Sequence, residues 1–486
     1  METFTNHATN LLRDHRKWEP KLSSTVLSQL SSSPSSFPLT HSQDLTFKLI
    51  HRDSPHSPLY NPLHTVSDRL KAGFLRSISR SRRFSTKTDD LQSGLISNGG
   101  EYFMSISIGT PPSKVLAIAD TGSDLTWVQC KPCEHCYKQN GSIFDKTHSS
   151  TYKTEGCDSK PCNALAKKEK GCDRSGKICK YLYGYGDQSY TKGEVATETI
   201  SIDSSSGSPV SFPGTVFGCG YNNSGTFDGT GSGIVGLGRG PLSLISQLGS
   251  SIGKKFSYCL SNTSYSTNGT GVINLGTNSM PSNPSKGSAV LTTPLIYKTQ
   301  NTYYYLNLEA ITVRKTKIPY TGGGYSLNEK ATGNIIIDSG TTFTFLESGF
   351  YEKFGAAVEA SVTGAKRASD PQGMLIHCFK AGYKKIDLPE ITMHFTGADV
   401  KLSPTNAFLK KDEEIVCLSM IPTTDVAIYG NLVQADFRVG YDLEAKTLSF
   451  QRIDCFGTLI KSEIASDDSK PSFSSQSSPQ TPKSPN

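Results

Sequence analysis

The 486-residue chain carries 44 Gly, 21 Tyr and 22 Phe with abundant Ser and Thr, a composition that favours β-strands and turns, and its length suits two domains or one large bilobal body. Its net charge of +7 does not make a nucleic-acid binder: residues 1–95 hold 13 Lys/Arg against 8 Asp/Glu, the remainder 37 against 35, and so nearly neutral a body offers no basic face for phosphates. No stretch approaches the ~20 consecutive apolar residues of a membrane-spanning helix.

Residues 1–95 are polar, Ser-rich and basic, with LIHRDSPHSPLYNP and RSISRSRRF as landmarks. They sustain no alternation, and only Arg69 to Ser79 points to a helix, so the segment reads as a removable or loosely ordered leader. METFTNHATNLLRDHRKWEPK lacks the apolar core of a signal peptide, and an incorrect or alternative start is expected. His51-Arg52-Asp53 matches a kinase catalytic-loop tripeptide, but no glycine-rich nucleotide loop or partner lysine accompanies it, and it reads as chance.

From Glu101 the character changes. EYFMSISIGTPPSKVLAIAD alternates and turns at Gly109-Thr-Pro-Pro, as two antiparallel strands would. Strand-like runs recur in VSFPGTVFGCG, FSYCL, TYYYLNLEAITV, ITMHF and TLSF, whereas helical spacing is confined to Leu242–Leu248 and Gly349–Ser361. The reading is an all-β body with few short helices. The crossing between halves is placed in Met280 to Lys298, and the Ser/Pro/Lys-rich stretch 457–486 reads as a disordered tail.

All 12 cysteines lie between Cys130 and Cys455; their even number and clustering point to disulfides formed in an oxidising compartment. Sequons at Asn140, Asn222, Asn262 and Asn268 agree with export and are glycosylation candidates.

The chemistry concentrates in two stretches, VLAIADTGSDLTWVQC around Asp120 and NIIIDSGTTFTFL around Asp338. In each, a buried apolar strand delivers an acid to a Thr-Gly or Ser-Gly turn. A lone acid at the end of a buried strand is costly unless paired, and the 218-residue separation suits one copy in each of two similar lobes. Two carboxylates a few ångströms apart cannot both ionise and share one proton. The charged one then draws a proton from a bound water while the protonated one donates to a carbonyl oxygen, which suits peptide hydrolysis without a metal. Gly122 and Gly340 let the turns approach closely. Ser123 and Thr341 are placed to hydrogen-bond the carboxylates, and Thr121 and Ser339 to brace the turns against each other.

From about Glu101 to Cys455 the chain resembles the pepsin-like aspartic proteases, a bilobal β-rich fold with the active site in the cleft between lobes. That resemblance implies an aspartic endopeptidase with Asp120 and Asp338 as its catalytic pair, no cofactor and no metal, a protein or peptide substrate, no nucleic-acid partner and a monomeric state. Tyr185 in YGYGDQSYTKG is similar to the tyrosine of the flap that closes over substrate, with Tyr183 as a nearby rival. Trp127 is similar to the tryptophan that hydrogen-bonds it, and Ile234-Val-Gly and Ile428-Tyr-Gly resemble the segments bracing each catalytic loop. The cysteine-rich insert between Asp120 and the flap, with FGCGYNNSGTF, KFSYCL and IIIDSGTT, resembles the nepenthesin-type plant subgroup. By that resemblance the pairs are Cys130–Cys133, Cys136–Cys219, Cys157–Cys179, Cys162–Cys172, Cys259–Cys455 and Cys378–Cys417. LIHRDSPHSPLYNP resembles the pro-segment of secreted plant members. The implied organisation is an inhibitory propeptide at 1–95, lobes at 96–285 and 286–456, and the tail, in a protein that is secreted or vacuolar.

Three other readings are weaker. Cys130, Cys133, His135 and Cys136 have zinc-knuckle spacing, but the cysteines pair off in a secreted-style framework. Gly231-Ser-Gly233-Ile-Val-Gly236 fits a dinucleotide pattern, yet follows an Asn/Gly loop instead of a strand. A catalytically silent binding or inhibitor protein on the same scaffold would be marked by loss of either aspartate, and both are present.

Overall fold

The computed structural model describes residues 45–83, 102–139, 141–185, 189–203, 209–224, 231–261, 270–282, 288–299, 302–321, 333–380, 386–411 and 414–455. Asn140, Asn262 and Asn268, residues 186–188 and the tail from 457 lie outside them. Strands dominate, and the helices are few and mostly short, as the composition implies. The two helices expected in the body are found at Leu244–Leu248 and Ser348–Ser361.

Strand β1 (Leu45–His51) buries Leu45, Phe47 and Leu49 on one face. Helix α1 (Val66–Arg83) follows, opened by a reciprocal cap: the Asp68 amide donates to Thr65 Oγ1 at 3.1 Å, and the Thr65 amide to Asp68 Oδ2 at 2.9 Å. Strands β2 (Tyr102–Ile108) and β3 (Ser113–Asp120) form the expected antiparallel pair, with Ile108 opposite Ser113 and Phe103 opposite Ile118. Strand β4 (Trp127–Lys131) leaves the turn after Asp120.

The leader is more structured than the reading of a loosely ordered segment allows. Strand β1 lies inside a 16-stranded sheet, between β2 and the strand Thr270–Leu275, with Leu45 opposite Leu275 and Ile50 opposite both Thr270 and Phe103. LTFKLIH does alternate, but over only seven residues. Helix α1 extends beyond the stretch that hinted at it because its apolar stripe has a partner. Leu70, Phe74 and Ile78, four residues apart, pack on an apolar cluster that includes Tyr303, Phe343 and Leu375.

Two matched layouts sit at the centre. In the first, β3 runs parallel to Gly233–Gly236, with Asp120 level with Gly236, and β4 runs antiparallel to the same short strand. In the second, Ile335–Ile337 runs parallel to Ala427–Tyr429, which pairs antiparallel with Thr344–Glu347. A Cβ on Gly236 would fall 2.1 Å from the Asp124 carbonyl oxygen, and one on Gly430 2.3 Å from that of Phe343. Both approaches therefore exclude any side chain. The halves also share the large sheet, because Phe437–Asp442 pairs antiparallel with Lys255–Leu260.

All 12 cysteines are in disulfides. Cys259–Cys455 and Cys378–Cys417 match the pairing implied by the resemblance. The other four are exchanged: Cys130–Cys219, Cys133–Cys136, Cys157–Cys172 and Cys162–Cys179. Strand register and burial account for the difference. β4 runs parallel to Val210–Ser224 with Cys219 level with Val128, which brings the buried Cys130 to a Cα separation of 5.4 Å from Cys219. Cys172 and Cys179 are neighbours across a strand pair, but Cys179 is fully buried and meets the buried Cys162, leaving the exposed Cys172 to Cys157. With Cys130, Cys133 and Cys136 all oxidised, the zinc-knuckle reading has no free thiolates.

Candidate active site

Asp120 ends its strand and Asp338 directly follows Ile335–Ile337; both are fully buried, and one nitrogen of Arg80 reaches both. Each carboxylate is held in the same way. Asp120 Oδ1 accepts from the Gly122 amide at 2.8 Å and Oδ2 from Ser123 Oγ at 2.5 Å. Asp338 Oδ1 accepts from the Gly340 amide at 2.9 Å and Oδ2 from Thr341 Oγ1 at 2.5 Å. The turns are locked across the interface, since the Ser339 amide donates to Thr121 Oγ1 at 2.9 Å and the two hydroxyls lie 3.1 Å apart. The six supporting residues expected from the sequence are thus all placed around the two acids.

Trp127 is fully buried beneath the hairpin of Cys179–Gly184 and Tyr190–Ile202, and its Nε1 donates to Tyr185 Oη at 2.6 Å. Tyr183 is instead packed into the apolar cluster around Leu125, Cys162 and Tyr181. Asn222 is half-buried on its strand, with Oδ1 accepting from Tyr190 at 3.0 Å.

One residue at this centre had no forecast role. Arg80 of α1 is buried, and its guanidinium lies between the carboxylates. Nη2 contacts Asp120 Oδ1 and lies 3.1 Å from Asp338 Oδ2, while Nε donates to Asp338 Oδ2 at 3.1 Å and Thr341 Oγ1 at 3.2 Å. A Cβ on Gly340 would come within 2.7 Å of that guanidinium. One helix turn earlier, Ser77 Oγ accepts from the Thr342 and Phe343 amides at 2.9 and 3.1 Å. The only hint in the sequence was the excess of basic residues in the leader, which does not single out one arginine.

Comparison with known proteins decides the family. Residues 102–277 match the family model described as "Xylanase inhibitor N-terminal" and residues 303–452 the one described as "Xylanase inhibitor C-terminal". An Arabidopsis thaliana protein named "Probable aspartic protease" is 69% identical over 426 residues, covering 86% of this chain and 95% of its own. Aspartic proteinase nepenthesin-1 of Nepenthes gracilis is 37% identical over 370 residues, covering 75% of this chain and 80% of its own. The chain belongs to the pepsin-like aspartic proteases, in their atypical plant subgroup. Among solved structures, soybean basic 7S globulin matches with a TM-score of 0.59 at 17% identity, covering 85% of this chain and 98% of that one, which shows the two-lobed fold alone.

Away from the two aspartates, this aspartic protease buries a further carboxylate, Glu194, on the hairpin strand Tyr190–Ile202. Glu194 accepts from Lys146 at 2.6 Å, Tyr152 at 2.5 Å, Tyr221 at 2.6 Å and Lys180 at 3.2 Å. It thereby ties both hairpin strands to the cysteine-rich insert. Burial by itself would raise its carboxyl, but the hydrogen bonds from Lys146, Tyr152 and Tyr221 and the Lys146 charge outweigh that and bring it from 4.5 down to about 2. A depressed carboxyl contributes stability in full above pH 4.5, and that contribution fades as pH falls toward about 2. The shift corresponds to at most roughly 3 kcal/mol before solvent screening reduces it, and more than half of whatever remains survives at pH 3.5. Glu194→Gln is therefore expected to lower the urea midpoint clearly at both pH 7 and pH 3.5. An unchanged midpoint at pH 7 would remove this role.

Proposed function

We propose that the mature protein is an endopeptidase that hydrolyses protein or peptide substrates at acid pH through a water held between Asp120 and Asp338. The observation that carries this reading is the pair of matched carboxylates, close enough for one nitrogen of Arg80 to contact both. Such a pair keeps a single proton between its members. The ionised carboxylate takes a proton from the water as its oxygen attacks the scissile carbonyl, and the protonated one donates to the carbonyl oxygen. Collapse of the tetrahedral species returns a proton to the departing amine. Thr121 and Ser339 hold the two turns at working distance, and the hydroxyls of Ser123 and Thr341 orient the carboxylates. Tyr185, tethered by Trp127, covers the bound peptide.

In this reading the described chain is the latent form. Arg80 occupies the place of the water and the substrate carbonyl, so residues 1–95 act as an inhibitory propeptide before lobes at 96–285 and 286–456. The six disulfides and the four sequons support a secreted or vacuolar glycoprotein. A purely binding role, as the family description could suggest, would not require both carboxylates and their matched supports. The test is cleavage of a peptide substrate by the processed protein between about pH 3 and pH 5. Activity in that range, blocked by a statine-type inhibitor, is expected. Activity insensitive to the inhibitor, or confined to neutral pH, would overturn the proposal.

A further inference from the structure

We infer that Gln434 and Tyr258 are positioning residues for Asp338, and that a buried tyrosine chain behind the site links the two aspartate-bearing loops. The inference rests on the reading of Asp338 as one of the reacting pair.

The main-chain carbonyl of each aspartate is buried at the end of its strand and needs a donor. In the first layout the donor is backbone: the Leu237 amide bonds the Asp120 carbonyl at 2.8 Å. In the second, the residue following the matching glycine is Asn431, and it is used elsewhere. Its amide donates to the Thr341 carbonyl at 2.6 Å, and its side chain to that of Ser339 at 2.9 Å. Gln434 takes over, its Nε2 donating to the Asp338 carbonyl at 3.3 Å and to that of Tyr429 at 2.7 Å.

Gln434 is fully buried, and nothing about it is left free to turn. Both Nε2 protons are committed, and Oε1 accepts from Tyr258 Oη at 2.5 Å. Tyr441 Oη lies 3.0 Å from Tyr258 Oη. The single Tyr258 proton goes to Gln434, so Tyr441 is the donor between the phenols. The Tyr441 ring packs edge-on against Tyr304 at 4.7 Å, and Tyr304 Oη donates to the Leu237 carbonyl at 2.9 Å. Leu237 is the residue whose amide holds Asp120. A continuous path thus runs behind the site from one aspartate to the other, independent of the Thr121–Ser339 lock in front.

The separation of two carboxylates that share a proton depends on where their loops sit, and a misplacement of about 1 Å costs up to ~10²-fold in rate. Tyr258→Phe and Gln434→Met, in the processed enzyme, are expected to lower kcat about 10- to 100-fold with little change in KM. Both limbs of the pH–rate profile should move, because the coupling between the carboxylates changes. Gln434→Glu is isosteric and supplies a donor while protonated, so it should recover part of kcat on the acid side. Tyr351→Phe is the control: that hydroxyl is also buried and donates to the Met420 carbonyl at 2.9 Å, on the helix Ser348–Ser361. It should cost stability without moving kcat or either limb. If Gln434→Met does not fold, the milder Tyr258→Phe carries the test. Profiles for Tyr258→Phe that coincide with those of Tyr351→Phe, while Asp338→Asn is inactive, overturn this inference and leave the dyad intact. Activity in Asp338→Asn overturns the dyad reading instead.

Discussion

Asp338→Asn in the processed enzyme is expected to lower kcat/KM by roughly 10²–10⁴-fold, and Asp120→Asn by a similar factor. The amide matches the carboxylate in size. The Gly340 amide and Thr341 hydroxyl keep an acceptor at Asp338, as the Gly122 amide and Ser123 hydroxyl do at Asp120. The fold should therefore survive, and what disappears is the exchange of one proton between two acids. An amide cannot take the proton from water, nor return one to a leaving amine. The measurement is steady-state peptide cleavage with unfolding midpoints recorded alongside. Activity near the parental level in either variant would sink the mechanism, while equal loss of activity and stability would reduce it to a folding effect.

How much of this was legible in the sequence depends on the range over which each residue finds its partners. Asp120 and Asp338 announced themselves through a repeated local pattern, and so did their Gly, Ser and Thr supports, all within three residues. Trp127 and Tyr185 came from family spacing, and the structure puts their polar atoms 2.6 Å apart. Arg80 was out of reach because its partners lie 40 and 258 residues away, and a helix pattern shows which face is apolar but not what the other face meets. Strand β1 was lost for a related reason: seven alternating residues become a strand only when flanked by Thr270–Leu275 and β2. The four exchanged disulfides show the limit of a resemblance, since even Cys172 and Cys179, neighbours across a strand pair, each bond elsewhere, and register and burial decide the pairing. Gln434 hid behind an apparent symmetry, because the matching glycines invite the assumption that both loops are held alike.

The same long-range contacts set the other large expected effect. Arg80→Ala in the uncut, full-length chain is expected to convert a latent protein into one that cleaves peptide without prior processing. Removing the guanidinium leaves two buried carboxylates facing each other with no cation between them. Breaking a buried ion pair in this way costs about 3–5 kcal/mol, and here the cost falls on the docked state of the leader alone. The undocked, open population should rise by about 10²–10⁴-fold. Arg80→Lys should lie between, because a point charge cannot reproduce the fork that reaches Asp120, Asp338 and Thr341 together. Cutting residues 1–95 from the gene is a poorer experiment than it first looks. It also deletes β1 from the interior of the large sheet, exposing the ladder edges of β2 and Thr270–Leu275 during folding. The point variant leaves β1 in place, along with the Leu70, Phe74 and Ile78 stripe. Cleavage of a fluorogenic peptide should be followed while intact mass verifies that the chain is uncut. An Arg80→Ala protein as silent as its parent, yet active once processed, would show that the leader blocks the cleft by bulk and not by the charge it sets between the two acids.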